Sequence, residues 1–102
     1  MPDVSANYLD KIRYAVRRSA SEQADAEITD LIRMARSDMI SKGIPVDTAQ
    51  DETDPRVLGC VRCFCRWQIG YQDADTDRNA DNYDTMVQQL RLTCGKAVPD
   101  AE

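Results

Sequence analysis

The chain has 102 residues, the length of one ordinary domain, so two independently folded units are excluded. Its 42% hydrophobic and 30% charged residues, with only four Gly and four Pro, exclude a disordered, collagen-like or repeat chain, and its thin 6% aromatic content suits the gaps between helices better than a broad sheet sandwich. The formal charge of −5 disfavours the phosphate neutralisation of a free DNA-binding protein, and the absence of histidine removes Ser-His-Asp, Cys-His and zinc-histidine chemistry.

At about 100° per residue, Tyr8, Ile12, Ala15 and Val16 share one stripe over 6–19 while Lys11, Arg13, Arg17 and Arg18 occupy the rest, which predicts an amphipathic, cationic first helix. Ser21 followed by Glu22, Gln23, Asp25 and Glu27 places capping and acidic residues at the start of a second helix. Its stripe is Ala24, Ile28, Leu31, Ile32, Ala35 and Met39, and it is predicted over 22–42 with Gly43 as its C-terminal cap and Pro45 beyond.

Residues 44–53 show neither helical nor alternating periodicity and gather Asp47, Asp51 and Glu52, so they are expected to form a polar loop, the most mobile internal segment. Asp54-Pro55 is a helix start, because Asp caps free amides and Pro at the first position has no amide to waste. The third helix, over 55–71, is apolar round most of its circumference through Val57, Leu58, Cys60, Val61, Cys63, Phe64, Cys65, Trp67, Ile69 and Tyr71. Such a helix is buried on several sides and is predicted to be the hub. Its narrow remaining wedge carries Gly59, Arg62, Arg66 and Gly70, whose glycines permit the close approach of another backbone. After a loop at 72–80, Tyr83, Met86, Val87, Leu90 and Cys94 define a fourth helix over 80–94, followed by a loose tail at 95–102. The expected fold is all-α: a compact four-helix domain with a central, mostly buried third helix.

No run reaches the roughly 20 apolar residues of a membrane span, and MPDVSANYLDK lacks a basic segment followed by an apolar one, so neither a membrane nor an export route is expected. The cysteines, Cys60, Cys63, Cys65 and Cys94, are accordingly expected to be reduced intracellular thiols. On one helix Cys65 points about 200° away from Cys63, so the three clustered thiols do not converge on a metal and read as small buried hydrophobes. No cofactor is expected.

Asp73, Asp75, Asp77, Asn79, Asp81 and Asp84 match positions 1, 3, 5, 7, 9 and 12 of a calcium-binding EF-hand loop. Position 6, normally Gly, is Arg78, and position 12 is an Asp in place of the usual bidentate Glu. The alternative is an acidic turn that caps the last helix. The basic first helix and the acidic segments 47–54 and 73–84 also make the chain electrically polar, which suits heterologous contacts between copies or different partners above and below.

The order of segments resembles the small head-to-tail connector, or head-completion, proteins of tailed bacteriophages and prophages, also called DNA-packaging proteins. The resemblance runs through YLDKIRYAVRRSASEQADAEITDLIRMARSDMISKGI, DPRVLGCVRCFCRWQIGY and NYDTMVQQLRLT, and covers about residues 8–94. Its specificity lies in the order and spacing of a basic turn, an acidic-started helix with a SxGI-like stop, a polar loop, an Asp-Pro start and a closing helix with a Tyr near its start. The three cysteines of the hub helix and the acidic 73–84 turn depart from the pattern.

The resemblance implies a non-enzymatic neck subunit that assembles as a ring on the portal protein after packaging, in the host bacterial cytoplasm. It implies neighbouring copies, a next neck or tail-completion protein, and genomic DNA passing without sequence-specific contact as partners. By helical position, Lys11, Arg13, Arg17 and Arg18, with Asp47, Asp51 and Glu52, are the expected subunit or portal contacts. The rival expectations are a calcium-binding helical protein using the 73–84 loop and a small DNA-binding module using the first helix.

Overall fold

The computed structural model describes residues 4–17, 21–69 and 74–97, with side chains of the last segment described over 77–93. Five helices and no strand occur among these residues: α1 (Ala6–Ala15), α2 (Glu22–Ser41), α3 (Val46–Ala49), α4 (Pro55–Ile69) and α5 (Ala74–Ala97). The protein is all-α.

Capping chemistry marks the boundaries. Ser5 Oγ accepts from the Tyr8 amide at 3.2 Å and Ser21 Oγ from the Ala24 amide at 3.0 Å, each satisfying one of the amides a helix start leaves without a partner. At the end of α2, Gly43 takes a φ of 103°, a left-handed conformation open to glycine, and its amide bonds to the Ile40 carbonyl while that of Ile44 bonds to Met39. This turn aims Ile44 into the core. Asp54 Oδ1 receives the Arg56 amide at 2.9 Å, and hydrogen bonds from Arg56 hold its carboxyl below the usual range.

Three boundaries differ from expectation. Helix α1 ends at Ala15 instead of 19, because Arg17 turns to a φ of 59° and its amide closes onto the Tyr14 carbonyl. The 44–53 segment contains α3 and is anchored by buried Ile44 and Ala49, so it is not a featureless loop. Helix α5 starts at Ala74 and runs to Ala97, through most of the expected loop and the first part of the expected loose tail. Acidic residues near a helix start interact favourably with its dipole, so an aspartate run that reads as a turn also serves as a first helical turn. Arg18, Gly70, Tyr71, Asp73 and 98–102 lie outside the described residues.

Helix α4 is the hub, packed against α1, α2 and α5. Val57, Cys60, Val61, Phe64 and Cys65 are buried, and they meet Tyr8 and Ile12 of α1, Ile28, Ile32, Ala35 and Met39 of α2, and Tyr83, Val87 and Leu90 of α5 in one core. Phe64 and Tyr83 stack edge to face at 5.2 Å between ring centroids. At Gly59 the neighbour is a side chain and not the backbone the sequence suggested: a Cβ there would fall 2.6 Å from Met86 Cε.

The pairings also set direction. Ser5 lies beside Glu52, just before α4, and Ala15 lies beside Arg66 near its end, so α1 and α4 run the same way. The Arg13–Asp25 and Arg36–Glu52 pairs make α2 antiparallel to them, and the contacts of Met86 with Cys63 and Tyr83 with Phe64 make α5 antiparallel to α4. The bundle therefore has two ends. One holds the end of α1, the end of α4 and the starts of α2 and α5; the other holds the end of α2, α3 and the start of α4.

Candidate functional site

The expected contact residues separate into internal and exposed groups. Arg13 is mostly buried: its Nε donates to Asp25 Oδ1 at 3.1 Å and its Nη2 to Asp10 Oδ1 at 2.7 Å, so it ties α1 to α2 and is not an outward contact. Glu52 is likewise internal. Its Oε2 accepts from the Ser5 amide at 3.0 Å and from Arg36 Nη2 at 3.1 Å. Burial pushes the Glu52 carboxyl up, but the hydrogen bonds from Ser5 and Arg36 and the guanidinium charge offset this and hold it below the ordinary glutamate range. Asp51 accepts from the amide and hydroxyl of Thr53 at 2.9 and 2.6 Å, an arrangement that shapes the turn before α4. Lys11, Arg17 and Asp47 are exposed, and no ion pair engages them among the described residues.

Arg36, absent from the sequence-based site, is the most consequential charged residue of the interior. It is 1% exposed, carries its guanidinium 5.5 Å from the Tyr8 ring centroid, and pairs with Glu52. Burial pushes the Tyr8 phenol up to about 12, against the pull of Arg36. The signal was present: Arg36 stands four residues after Ile32 and eight after Ile28, on the apolar stripe itself.

A second polar set joins α2 to α5. Tyr83 donates to Asp38 Oδ2 at 2.6 Å, and Lys42 Nζ lies 3.0 Å from Asp38, 3.4 Å from Asp84 and 5.0 Å from the Tyr83 ring centroid. Burial and the bond to Asp38 both raise the Tyr83 phenol. Partial burial lowers Lys42, and the hydrogen bond and charge of Asp38, with Asp84, more than offset it, so its ammonium is held above the usual range.

Cys60, Cys63 and Cys65 are chemically quiet, and the side chain of Cys94 lies outside the described residues. Burial pushes the Cys60 thiol up to about 11 and that of Cys65 to about 12, and raises Cys63 as well. A thiol so shifted is protonated near neutrality and is a poor nucleophile or metal ligand. Among the described residues no group of three or more Cys, Asp or Glu is placed to hold a metal ion. The EF-hand expectation fails on geometry: Asp75, Asp77, Asn79, Asp81 and Asp84 lie within α5. A helix at 3.6 residues per turn spreads these positions round its circumference instead of wrapping them round an ion.

The remaining candidate is the end of the bundle where α1 stops. Tyr14 is 87% exposed, and with Ala15, Arg17 and Arg66 it lines a cleft of about 530 Å³. Arg66 Nε is fixed by the Ala15 carbonyl at 3.1 Å, which holds its guanidinium at the cleft. Arg17 occupies a position where a helix exit usually has Gly, at a backbone cost of about 1 kcal/mol. The cleft gathers an exposed aromatic ring and two arginines, side chains whose chemistry suits carboxylate or phosphate groups. Sequence reading named Arg17 but missed Tyr14 and Arg66. Tyr14 was detectable as an aromatic off the apolar stripe, and Arg66 as a cation in the wedge of α4.

Other clefts lie along α2, lined by Arg33, Met34, Ser37, Asp38, Ser41 and Phe64, and between α2 and α5 around Lys42, Gly43, Asp84 and Arg91. None of the described cysteines, Cys60, Cys63 and Cys65, lines these three clefts. No helix among the described residues is long and apolar enough to cross a membrane. No protein-family model matches the chain, no curated protein matches it, and no solved structure matches it.

Proposed function

We propose that the chain is a structural head-to-tail connector subunit of a tailed phage or prophage. Copies form a ring on the portal after DNA packaging, in the host cytoplasm, and become part of the DNA channel and tail-docking surface of the virion neck. The carrying observation is the order of helix punctuation by which the sequence resembles that class of protein: a SxGI-like stop, a polar segment, an Asp-Pro start and a closing helix that carries a Tyr, which stands ten residues into α5. In this fold the same residues are the working joints. Gly43 makes the exit from α2, Asp54 caps α4, and Tyr83 packs on Phe64 of the hub.

The acidic net charge supports this reading, since a conduit for a polyanion works best without gripping it. The function needs no catalytic step, only a rigid hub and exposed ends for neighbours: other copies, the portal and the next neck or tail-completion protein. The calcium reading loses its basis, because the loop it depends on is helical here, while the DNA-binding reading loses Arg13, which is bound to Asp10 and Asp25, and keeps exposed Lys11 and Arg17. Deleting the gene from the phage or prophage that encodes it, with plasmid complementation, tests the proposal. The expected phenotype is DNA-filled heads without tails, and normal tailed particles from the deletion would overturn it.

A further inference from the structure

Two exposed surfaces at opposite ends of the bundle complement one another. At the end of α1, Tyr14, Arg17 and Arg66 present an aromatic ring and two cations round one cleft. At the other end, α3 presents Val46, 50% exposed, beside exposed Asp47, with exposed Asp51 in the following turn. Helix α4 separates the two ends by its 15 residues, about 22 Å at 1.5 Å per residue, so one molecule does not bring them together.

The neighbouring charges do not neutralise either surface among the described residues. At the α1 end Asp25 is held by Arg13, Glu22 stands on α2, and Asp77 and Asp81 stand on α5; no described ion pair joins them to Arg17 or Arg66. At the α3 end Arg36 is bound to Glu52, Arg56 to Asp54, and Lys42 to Asp38 and Asp84, while no described ion pair engages Asp47.

We infer that the Tyr14–Arg17–Arg66 cleft of one copy receives the α3 end of a second copy, with Tyr14 packed on Val46 and the two guanidinium groups facing Asp47 and Asp51. The contact deepens the connector reading and rests on its array of copies. It is heterologous: each molecule uses one end as donor and the other as acceptor, which generates a ring where the rotation closes. An aromatic anchor flanked by charge-assisted pairs provides attachment and register together. The left-handed Arg17 is explained as well, since Gly would relieve the backbone and remove the cation. Duplex DNA is the competing occupant of the cation pair, and the net charge of −5 opposes its approach.

The test is a dilution series of the full chain, labelled with ¹⁵N, from millimolar to micromolar concentration. Amide shifts of residues 14–17 and of 46–51 are expected to move together and to collapse in high salt, as screened charges require. Arg17→Glu and Asp47→Arg are each expected to weaken self-association about tenfold, and an equimolar mixture of the two variants to restore it, because each then offers the other's complement. Shifts confined to another face overturn this contact and leave a ring of copies standing. So do single variants that associate like wild type, or no self-association at millimolar protein. Shifts at 14–17 that appear only on adding a duplex DNA fragment also overturn it. The gene deletion tests the connector reading independently of every one of these outcomes.

Discussion

Replacing Glu52 with alanine perturbs the joint that holds three segments together. Its carboxylate binds the amide that begins α1 and the buried guanidinium of α2, from the turn that leads into α4. Removing one partner of a buried ion pair costs about 3–5 kcal/mol, because the other charge is left uncompensated. Arg36 meets that condition at 1% side-chain exposure, but Glu52 is 25% exposed, so water replaces part of the lost interaction and the figure falls to about 2–3 kcal/mol. For a domain of this size that lowers the melting temperature by about 10–20 °C, read by circular dichroism or calorimetry. The double variant Arg36→Met with Glu52→Gln, which removes both charges, should recover most of the loss.

The same pair makes a pH prediction. Glu52 is held below its ordinary value, so the unfolded chain binds the proton more readily and the stabilisation is present above the unfolded glutamate pKa. It is lost as pH falls through the lower folded value. Wild type should therefore lose, on acidification below about pH 4.5, a share of stability that the Glu52→Ala variant has already lost. An Ala variant that unfolds within about 0.5 kcal/mol of wild type at neutral pH would refute the assignment of Arg36 as a charge that depends on Glu52.

Three further outcomes follow from the packing. Gly59→Ala should change stability by no more than about 1 kcal/mol in urea titration, since the added Cβ meets only the flexible end of Met86, 2.6 Å from Cε, and alanine favours the helix. Tyr83→Phe should cost about 1–2 kcal/mol, because the 2.6 Å bond to Asp38 is lost in a partly buried setting while the ring contact with Phe64 is kept. In native protein at pH 8, mass-spectrometric mapping of alkylation should find Cys60 and Cys65 protected and Cys63 the most reactive of the three, with protection abolished in denaturant.

The legibility of this fold in its sequence follows the range of each interaction. Ser21, Gly43 and Asp54 act within a few residues of themselves, so the joints they make are visible in a linear text. The stripe of α2 is long enough to show its period, and the nearly all-round apolar surface of α4 announces a hub. Helix α3 is too short, at four residues, to display any period, and only the burial of Ile44 and Ala49 reveals that its segment is anchored.

Charge was the least legible property. Arg13 looks like part of an outward cationic face until Asp25, twelve residues on, is seen to bind it, and Glu52 looks like loop solvation until Arg36 is found beneath it. The aspartates before Tyr83 fit a cation-binding loop by spacing alone. What spacing did not contain is the backbone conformation, and a helix there removes the site. At the candidate surface, Arg17 was found by its charge, whereas Tyr14 and Arg66 acquire meaning only once α1 and α4 are known to run side by side.

The proposed assembly of this chain as a ring on a portal is tested by co-sedimentation of the full chain with the portal assembly encoded in the same genome, followed by imaging of the complex. The expected result is saturable co-sedimentation and a closed ring of copies at one end of the portal. A chain that stays unbound at saturating concentration, with bare portals in the images, would contradict it.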